Sequence, residues 1–179
     1  MADGSGHPDP RWVDETRFKD ALSHWASGVA VATCTVEGAP WGLTVSSFTS
    51  LSVHPPRVLF CLNKANRSSA RFLKAEIAAI DVLSEADDDV ARRFSSGVGA
   101  VERFSGADWD LAPDAPPRFR RSLARFEGRI RSRIEAGSHD VIVIDVKAAD
   151  TGIGRPLLYH ARGYRRAEAA ETSLGALTS

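Results

Sequence analysis

Hydrophobic and polar positions change their period along this chain, and the changes predict its elements. Phe18, Leu22 and Trp25 recur at i, i+4 and i+7, the spacing of one amphipathic helix. Asp14 stands where it can cap that helix, and Gly28 where a helix would end in the left-handed conformation. Val29 to Val36 is β-branched and small, and Glu37-Gly38 is a turn signal. Leu43 to Val53 is then dense in Thr, Ser and Val until His54-Pro55-Pro56 stops it. Arg57 to Leu62 and Ile77 to Leu83 read as two more strands. Ser68 to Ala75 predicts a short helix capped by Ser68. Asp87 to Phe94 predicts another, with acids in its first turn and Arg92-Arg93 in its last.

Alternation is clearest late in the chain. Ala124, Phe126, Gly128, Ile130, Ser132 and Ile134 alternate with Arg125, Glu127, Arg129, Arg131, Arg133 and Glu135, which predicts a long half-buried strand. Gly137-Ser138-His139-Asp140 reads as a turn, and Val141 to Val146 returns as an apolar run, giving an antiparallel hairpin. Six or seven strands, few helices and no βαβα rhythm argue against a Rossmann sheet. They predict a mainly β protein, a closed or nearly closed antiparallel barrel with short flanking helices. Gly97-Val98-Gly99 lacks the third glycine of a dinucleotide fingerprint and follows a helix instead of a strand.

Composition bounds the partners. The 179 residues suit one domain, expected over 14–167, with the Gly-, Ser-, Pro-, Ala- and Glu-rich segments 1–13 and 168–179 as disordered tails. Lys plus Arg equals Asp plus Glu at 23 each, so no bulk field draws the chain to nucleic acid or to an anionic membrane. The longest uncharged apolar stretches fall short of a membrane span. The polar start, Met1 to Pro10, lacks the basic-then-apolar order of a signal peptide, and two cysteines do not make a disulfide framework. The expectation is a cytoplasmic protein.

Several chemistries lack their residues. The five histidines form no helical i, i+4 pair, Cys34 and Cys61 lie apart in apolar strands, and no serine stands in a Gly-x-Ser-x-Gly elbow. The arginines at 125, 129, 131 and 133 alternate along the predicted strand and mark its solvated face more readily than a nucleic-acid surface. What stands out is Gly42 to Ser52, with six hydroxyls in eleven residues. Two readings are open: a strand end that holds a polar planar ligand or phosphate, or an edge strand with cross-strand hydroxyl pairs. Asn63 to Ser69 is equally open between an anion site at a helix start and a solvated loop with a serine cap.

The order and spacing of six blocks resemble the short-chain flavin reductases, the reductase components of two-component flavin-dependent monooxygenases. The blocks are Phe18 with Trp25-Ala26-Ser27-Gly28-Val29, Gly42 to Ser52, Pro55-Pro56 with Val58 to Leu62, Arg103-Phe104, Gly137 with His139, and Pro156-Leu157-Leu158-Tyr159 with Gly163-Tyr164. The resemblance implies an FMN-binding split β-barrel and a homodimer with the flavin near the subunit interface. It also implies reduction of FAD or FMN by NADH or NADPH, and a partner monooxygenase that receives the reduced flavin. NADH is ranked ahead of NADPH, but the sequence leaves the choice open, since no Arg-rich loop is placed to claim a 2′-phosphate site.

Carried over by position, Thr44, Val45, Ser46 and Ser47 would line the isoalloxazine and ribityl chain, and Cys61, Leu62 and Asn63 would continue that wall. Ser68, Ser69 and Arg103 would approach the phosphate, and His139 and Tyr164 the nicotinamide side. His139 would position the hydride donor without acid–base work, and no metal is implied. Two positions depart from the family: Ser138 stands where Asp is common, and Asp145 where Gly is common. Hydride transfer between two stacked rings needs no nucleophile, which suits a site of small polar residues. Two other readings stay open: a pyridoxamine-phosphate-oxidase-like protein that retains its flavin, and a flavin-binding barrel without turnover.

Overall fold

The computed structural model describes residues 12–168; apart from Trp12, Val13 and Glu168, both expected tails lie outside the described residues. The chain opens with α1 (Glu15–Ser23), β1 (Ser27–Gly28), β2 (Ala30–Val36), β3 (Ala39–Val45), β4 (Thr49–Ser52) and β5 (Arg57–Asn63). Next come α2 (Ser69–Phe72), β6 (Ile77–Val82), α3 (Asp88–Ser95), α4 (Ala100–Arg103), β7 (Trp109–Ala112) and β8 (Ala115–Phe119). Two long strands follow, β9 (Ala124–Ala136) and β10 (His139–Thr151), then β11 (Leu157–His160) and β12 (Gly163–Arg166). The fold is mainly β, as the patterning predicts. Seven strands pair antiparallel in the order β3-β2-β6-β9-β10-β5-β4, with smaller sheets β1-β11-β12 and β7-β8 beside them.

Strand β2 is buried on both faces, and its period-2 pattern sorts it between two cores. Ala30, Ala32, Cys34 and Val36 face the barrel interior with Leu43, Val45, Phe60, Leu62, Ile80, Ile142 and Ile144. Val29 and Val31, facing the other way, meet Phe94, Phe104, Trp109, Phe119 and Leu157 outside the barrel. The aromatic rings of this outer core lie 5.0–5.1 Å apart in tilted and edge-on pairs, which anchors α3, α4 and β7-β8 to the sheet. Gly42 admits them: a Cβ there would meet Phe94 at 2.7 Å.

Four expectations are corrected. Helix α1 is capped by Asp14, which accepts from the Arg17 N–H at 3.0 Å, but it ends at Ser23. Gly28 is extended instead, because β1 pairs Ser27 with Tyr159 and Gly28 with Leu158. The hydroxyl-rich stretch is not one strand: β3 stops at Val45 and β4 starts at Thr49. The turn after β9 is Gly137-Ser138 alone, with Gly137 at φ 60, and His139 and Asp140 already belong to β10. Arg125 is 2% exposed rather than solvated, since β8 covers that face. Its guanidinium binds Asp81 at 2.7 Å, the Pro116 and Pro117 carbonyls at 3.2 and 3.0 Å, and Glu127 at 2.7 Å.

The strand departure at Asp145 is absorbed locally. Its carboxylate takes the Arg57 Nε at 2.7 Å from the paired position of β5. Gly128 of β9 carries the close approach instead, because a Cβ there would meet the Asp145 carbonyl at 2.0 Å. Sequence patterning gave no sign of the β7-β8 and β11-β12 hairpins. The latter turns through Ala161 and Arg162, both left-handed at φ 48 and 59, and is held to α1 by the Ala161 N–H on Ser23 O and by the Arg162–Asp20 ion pair.

Candidate functional site

The seven-stranded sheet ends on β3 and β4, and the hydroxyl-rich stretch runs across this split from one edge to the other. Cys61 N donates to Ser47 Oγ at 2.9 Å, and Ser47 Oγ donates to Cys61 O at 3.2 Å. One side chain thus takes the place of a strand partner where the ladder is broken. Thr44 is committed as well, donating to Ala91 O of α3 at 2.6 Å. That bond and the seat of Phe94 over Gly42 bring Ser95, the last residue of α3, to the β3 end.

A cavity of about 280 Å³ forms there, lined by Val29, Thr44, Ser46, Ser95, Tyr159 and Tyr164. Ser46 is exposed, and its hydroxyl has no protein partner among the described residues. Tyr159 and Tyr164 are register partners in β11-β12 with ring centroids 5.8 Å apart. Burial pushes the Tyr164 phenol up from its usual range, so the ring presents a neutral hydroxyl at the cavity.

Behind β3 lies a buried polar cluster. The Arg103 guanidinium, 6% exposed, donates to Gly42 O at 2.9 Å, Ser68 Oγ at 3.1 Å and Ser96 O at 3.0 Å. Ser68 Oγ also donates to Gly42 O at 3.1 Å, so it braces β3 and makes no side-chain cap on α2. Arg103 pairs with no carboxylate among the described residues, and its Nε has no partner. Burial, and then the Arg67 charge, lower its affinity for its proton. A buried cation in this state attracts an anion.

The site residues expected from sequence fall into three adjoining groups. Thr44, Ser46 and Tyr164 share the cavity. Ser47, Cys61 and Asn63 follow along the split, and Asn63 is the register partner of His139. His139 is half-buried at the start of β10, with Nδ1 2.9 Å from Ser138 Oγ. Ser68, Ser69 and Arg103 form the buried cluster. Val45 and Leu62 face the core at 4% and 0% exposure, which leaves only their main chain to line a site. His139 and Tyr164 are not brought into one cavity. Sequence reading missed Tyr159, although it stands in the same block as Tyr164 at hairpin spacing, and Ser95, for which no local signal exists.

The site is thus an antiparallel barrel-like sheet with a hydroxyl-rich stretch at its split edge and an aromatic hairpin beside it. The chain belongs to the family described as flavin reductase like domain, whose profile matches residues 22–168. It is 35% identical over 158 residues to "FMN reductase (NADH) RutF 2" of Methylorubrum extorquens (strain PA1), covering 88% of this chain and 92% of that one. It is 33% identical over 151 residues to the reductase component of a 4-nitrophenol 4-monooxygenase/4-nitrocatechol 2-monooxygenase of Rhodococcus opacus, covering 83% and 78%. Among solved structures, the NADH:FAD oxidoreductase SgcE6 of Streptomyces globisporus C-1027, in complex with NAD and FAD fragments, superposes with a TM-score of 0.81. That similarity is at 27% identity and covers 94% of this chain and 99% of that one.

Proposed function

We propose that this chain is an NAD(P)H-dependent flavin reductase that reduces FMN or FAD and releases the product to a partner flavin-dependent monooxygenase. The observation that carries this reading is Arg103, a buried guanidinium without a carboxylate among the described residues, set behind a hydroxyl-lined cavity. Leaving such a charge uncompensated costs several kcal/mol, and a flavin phosphate offsets it. Bound flavin supplies the hydride acceptor. Thr44 to Ser47 hold the ring and ribityl side, and Cys61, Leu62 and Asn63 extend that wall. Ser68, Ser69 and Arg103 serve the phosphate side, Tyr164 meets the nicotinamide at the cavity, and His139 approaches it from outside that cavity. One domain over 14–167 holds these residues. The small-residue wall suits a flavin that leaves after reduction.

Steady-state oxidation of NADH and NADPH with added riboflavin, FMN or FAD tests the proposal. Turnover only with flavin is expected, and no turnover with any combination overturns it. Flavin retained through gel filtration without turnover by free flavin would favour the tightly bound oxidase.

A homodimer is part of the same reading. Phe18 and Leu22 of α1 and Trp25 just beyond it are 52%, 53% and 74% exposed, an uncovered group of large apolar side chains. Light scattering is expected to give twice the chain mass, and a monomeric mass with activity intact rules the dimer out. None of the described helices is long and apolar enough to cross a membrane, and a cytoplasmic location fits a reductase that uses NADH.

A further inference from the structure

A second cavity, of about 400 Å³, adjoins the flavin cavity across Tyr164, which lines both. Its walls carry three arginines from two separate elements, Arg92 of α3 and Arg165 and Arg166 of β12. Nothing in the sequence brings these together: α3 and β12 are joined only by the tertiary fold, and the chain between them runs through both long strands.

The charges do not cancel pairwise. Glu85 on the same wall is taken by Arg155, whose Nε and Nη2 lie 3.0 and 2.6 Å from Oε1. Asp88 meets Arg92 only at 3.4 Å, one turn back on the helix, where both side chains are at least half exposed and the pair is weak. Arg165 donates to the Tyr164 carbonyl at 2.9 Å. Neither Arg165 nor Arg166 forms an ion pair among the described residues, although Glu168 also borders the cavity. Arg92 is steadied by stacking over the Tyr164 ring, 5.0 Å from its centroid, and so faces the border between the two cavities.

From this arrangement we infer that Arg92, Arg165 and Arg166 form a subsite for a nucleotide phosphate beyond the ring-binding cavity. It rests on the flavin reductase reading. A ligand whose ring lies against Thr44, Ser46 and Tyr164 reaches this cavity by passing Tyr164, and guanidinium groups recognise phosphate through paired N–H donors. The phosphate comes from one of two sources: the adenylate-side phosphate of a dinucleotide, beyond the flavin phosphate placed at Arg103 and common to FAD and the pyridine nucleotides, or the 2′-phosphate of NADPH. In the first case the subsite favours dinucleotides, FAD over FMN among the flavins, and in the second it selects NADPH over NADH.

The test begins with binding and requires no turnover. The full chain is titrated calorimetrically with ADP and with 2′-AMP at low and at high salt. At least one is expected to bind, with affinity that falls as salt rises, and the Arg165→Gln/Arg166→Gln chain should bind it at least tenfold more weakly. Preference for ADP assigns the diphosphate, which is the flavin's if FAD displaces ADP more strongly than NADH does, and preference for 2′-AMP assigns the 2′-phosphate. Failure of the unaltered chain to bind either at millimolar concentration overturns the subsite, as does binding that the double variant leaves unchanged. Arg92→Gln, on a different element, replaces the double variant if that fails to fold. Turnover of riboflavin with NADH by the unaltered chain decides the flavin reductase reading separately, because it is measured without either probe and is expected whether or not ADP or 2′-AMP binds.

Discussion

Ser47 and Cys61 are joined twice, the Ser47 hydroxyl accepting from the Cys61 N–H at 2.9 Å and donating to its carbonyl at 3.2 Å. The hydroxyl satisfies both main-chain groups of a residue that has lost its strand neighbour on that side. Ser46, one residue earlier, is exposed and lines the cavity. Adjacent serines thus differ, one bracing the split edge and the other lining the cavity.

That division is separable by mutation. Ser47→Ala leaves a Cys61 main-chain pair unsatisfied and is expected to lower unfolding free energy by about 1–2 kcal/mol, together with flavin affinity. Ser46→Ala is expected to weaken flavin binding while the urea midpoint stays in place. Equal stability losses in the two variants would contradict the assignment.

Arg103→Met should separate phosphorylated from unphosphorylated flavin. With its guanidinium removed, FMN is expected to lose at least tenfold in affinity, equivalent to about 1.4 kcal/mol, and riboflavin much less. Fluorescence titration of both flavins reads the ratio. Because Arg103 also braces Gly42 and Ser96, circular dichroism of the variant must first show a folded chain. An unchanged FMN-to-riboflavin ratio would confine Arg103 to the brace.

His139 opens β10 opposite Asn63 and does not line the cavity that Tyr164 borders. His139→Ala is expected to raise the Michaelis constant for NADH, or slow flavin reduction, by about tenfold, equivalent to about 1.4 kcal/mol, with flavin binding nearly unaltered. Stopped-flow reduction with NADH resolves the two. Unaltered NADH kinetics would return His139 to a structural role beside Ser138.

The buried Asp81–Arg125 pair sets a pH dependence. Desolvation pushes the Asp81 carboxyl up from 3.8 to about 6, against the opposing pull of Arg125. The folded chain therefore holds this proton more tightly than the unfolded chain, and the contribution is largest below the unfolded value. Stability from this group falls as pH rises from about 4 to about 6 and is level above that. Asp81→Asn keeps an oxygen for Arg125 and should abolish that fall, as read by urea midpoints across the interval. The same slope in both proteins would place the titration elsewhere.

Much of the architecture was legible in residue order because strand and helix periods are local properties. The alternation from Ala124 to Glu135, the Glu37-Gly38 turn and the acid-to-arginine polarity of Asp88 to Arg93 each predicted the element found. The hydroxyl-rich block from Gly42 to Ser52 stands out in residue order, but it reads as one strand, and the break between Val45 and Thr49 has no local signal. Short hairpins such as β11-β12 escaped because four residues carry too little pattern to stand out, and their pairing partner, β1, lies far away in the chain.

Sequence by itself determined which residue types are available at the split: hydroxyls at 44, 46 and 47, an arginine at 103 and tyrosines at 159 and 164. Only the tertiary structure decided what each one does. Thr44, Ser47 and Ser68 spend their hydroxyls on the main chain of other elements, Ser46 does not, and Arg125 is drawn out of a solvated pattern by the prolines of β8. The physical reason is that a buried polar group must find its partner wherever the fold supplies one, and that partner lies 14 to 47 positions away for the three hydroxyls. Periodicity records which face a side chain turns to, whereas a hydrogen bond across the barrel records which distant strand or helix comes to meet it.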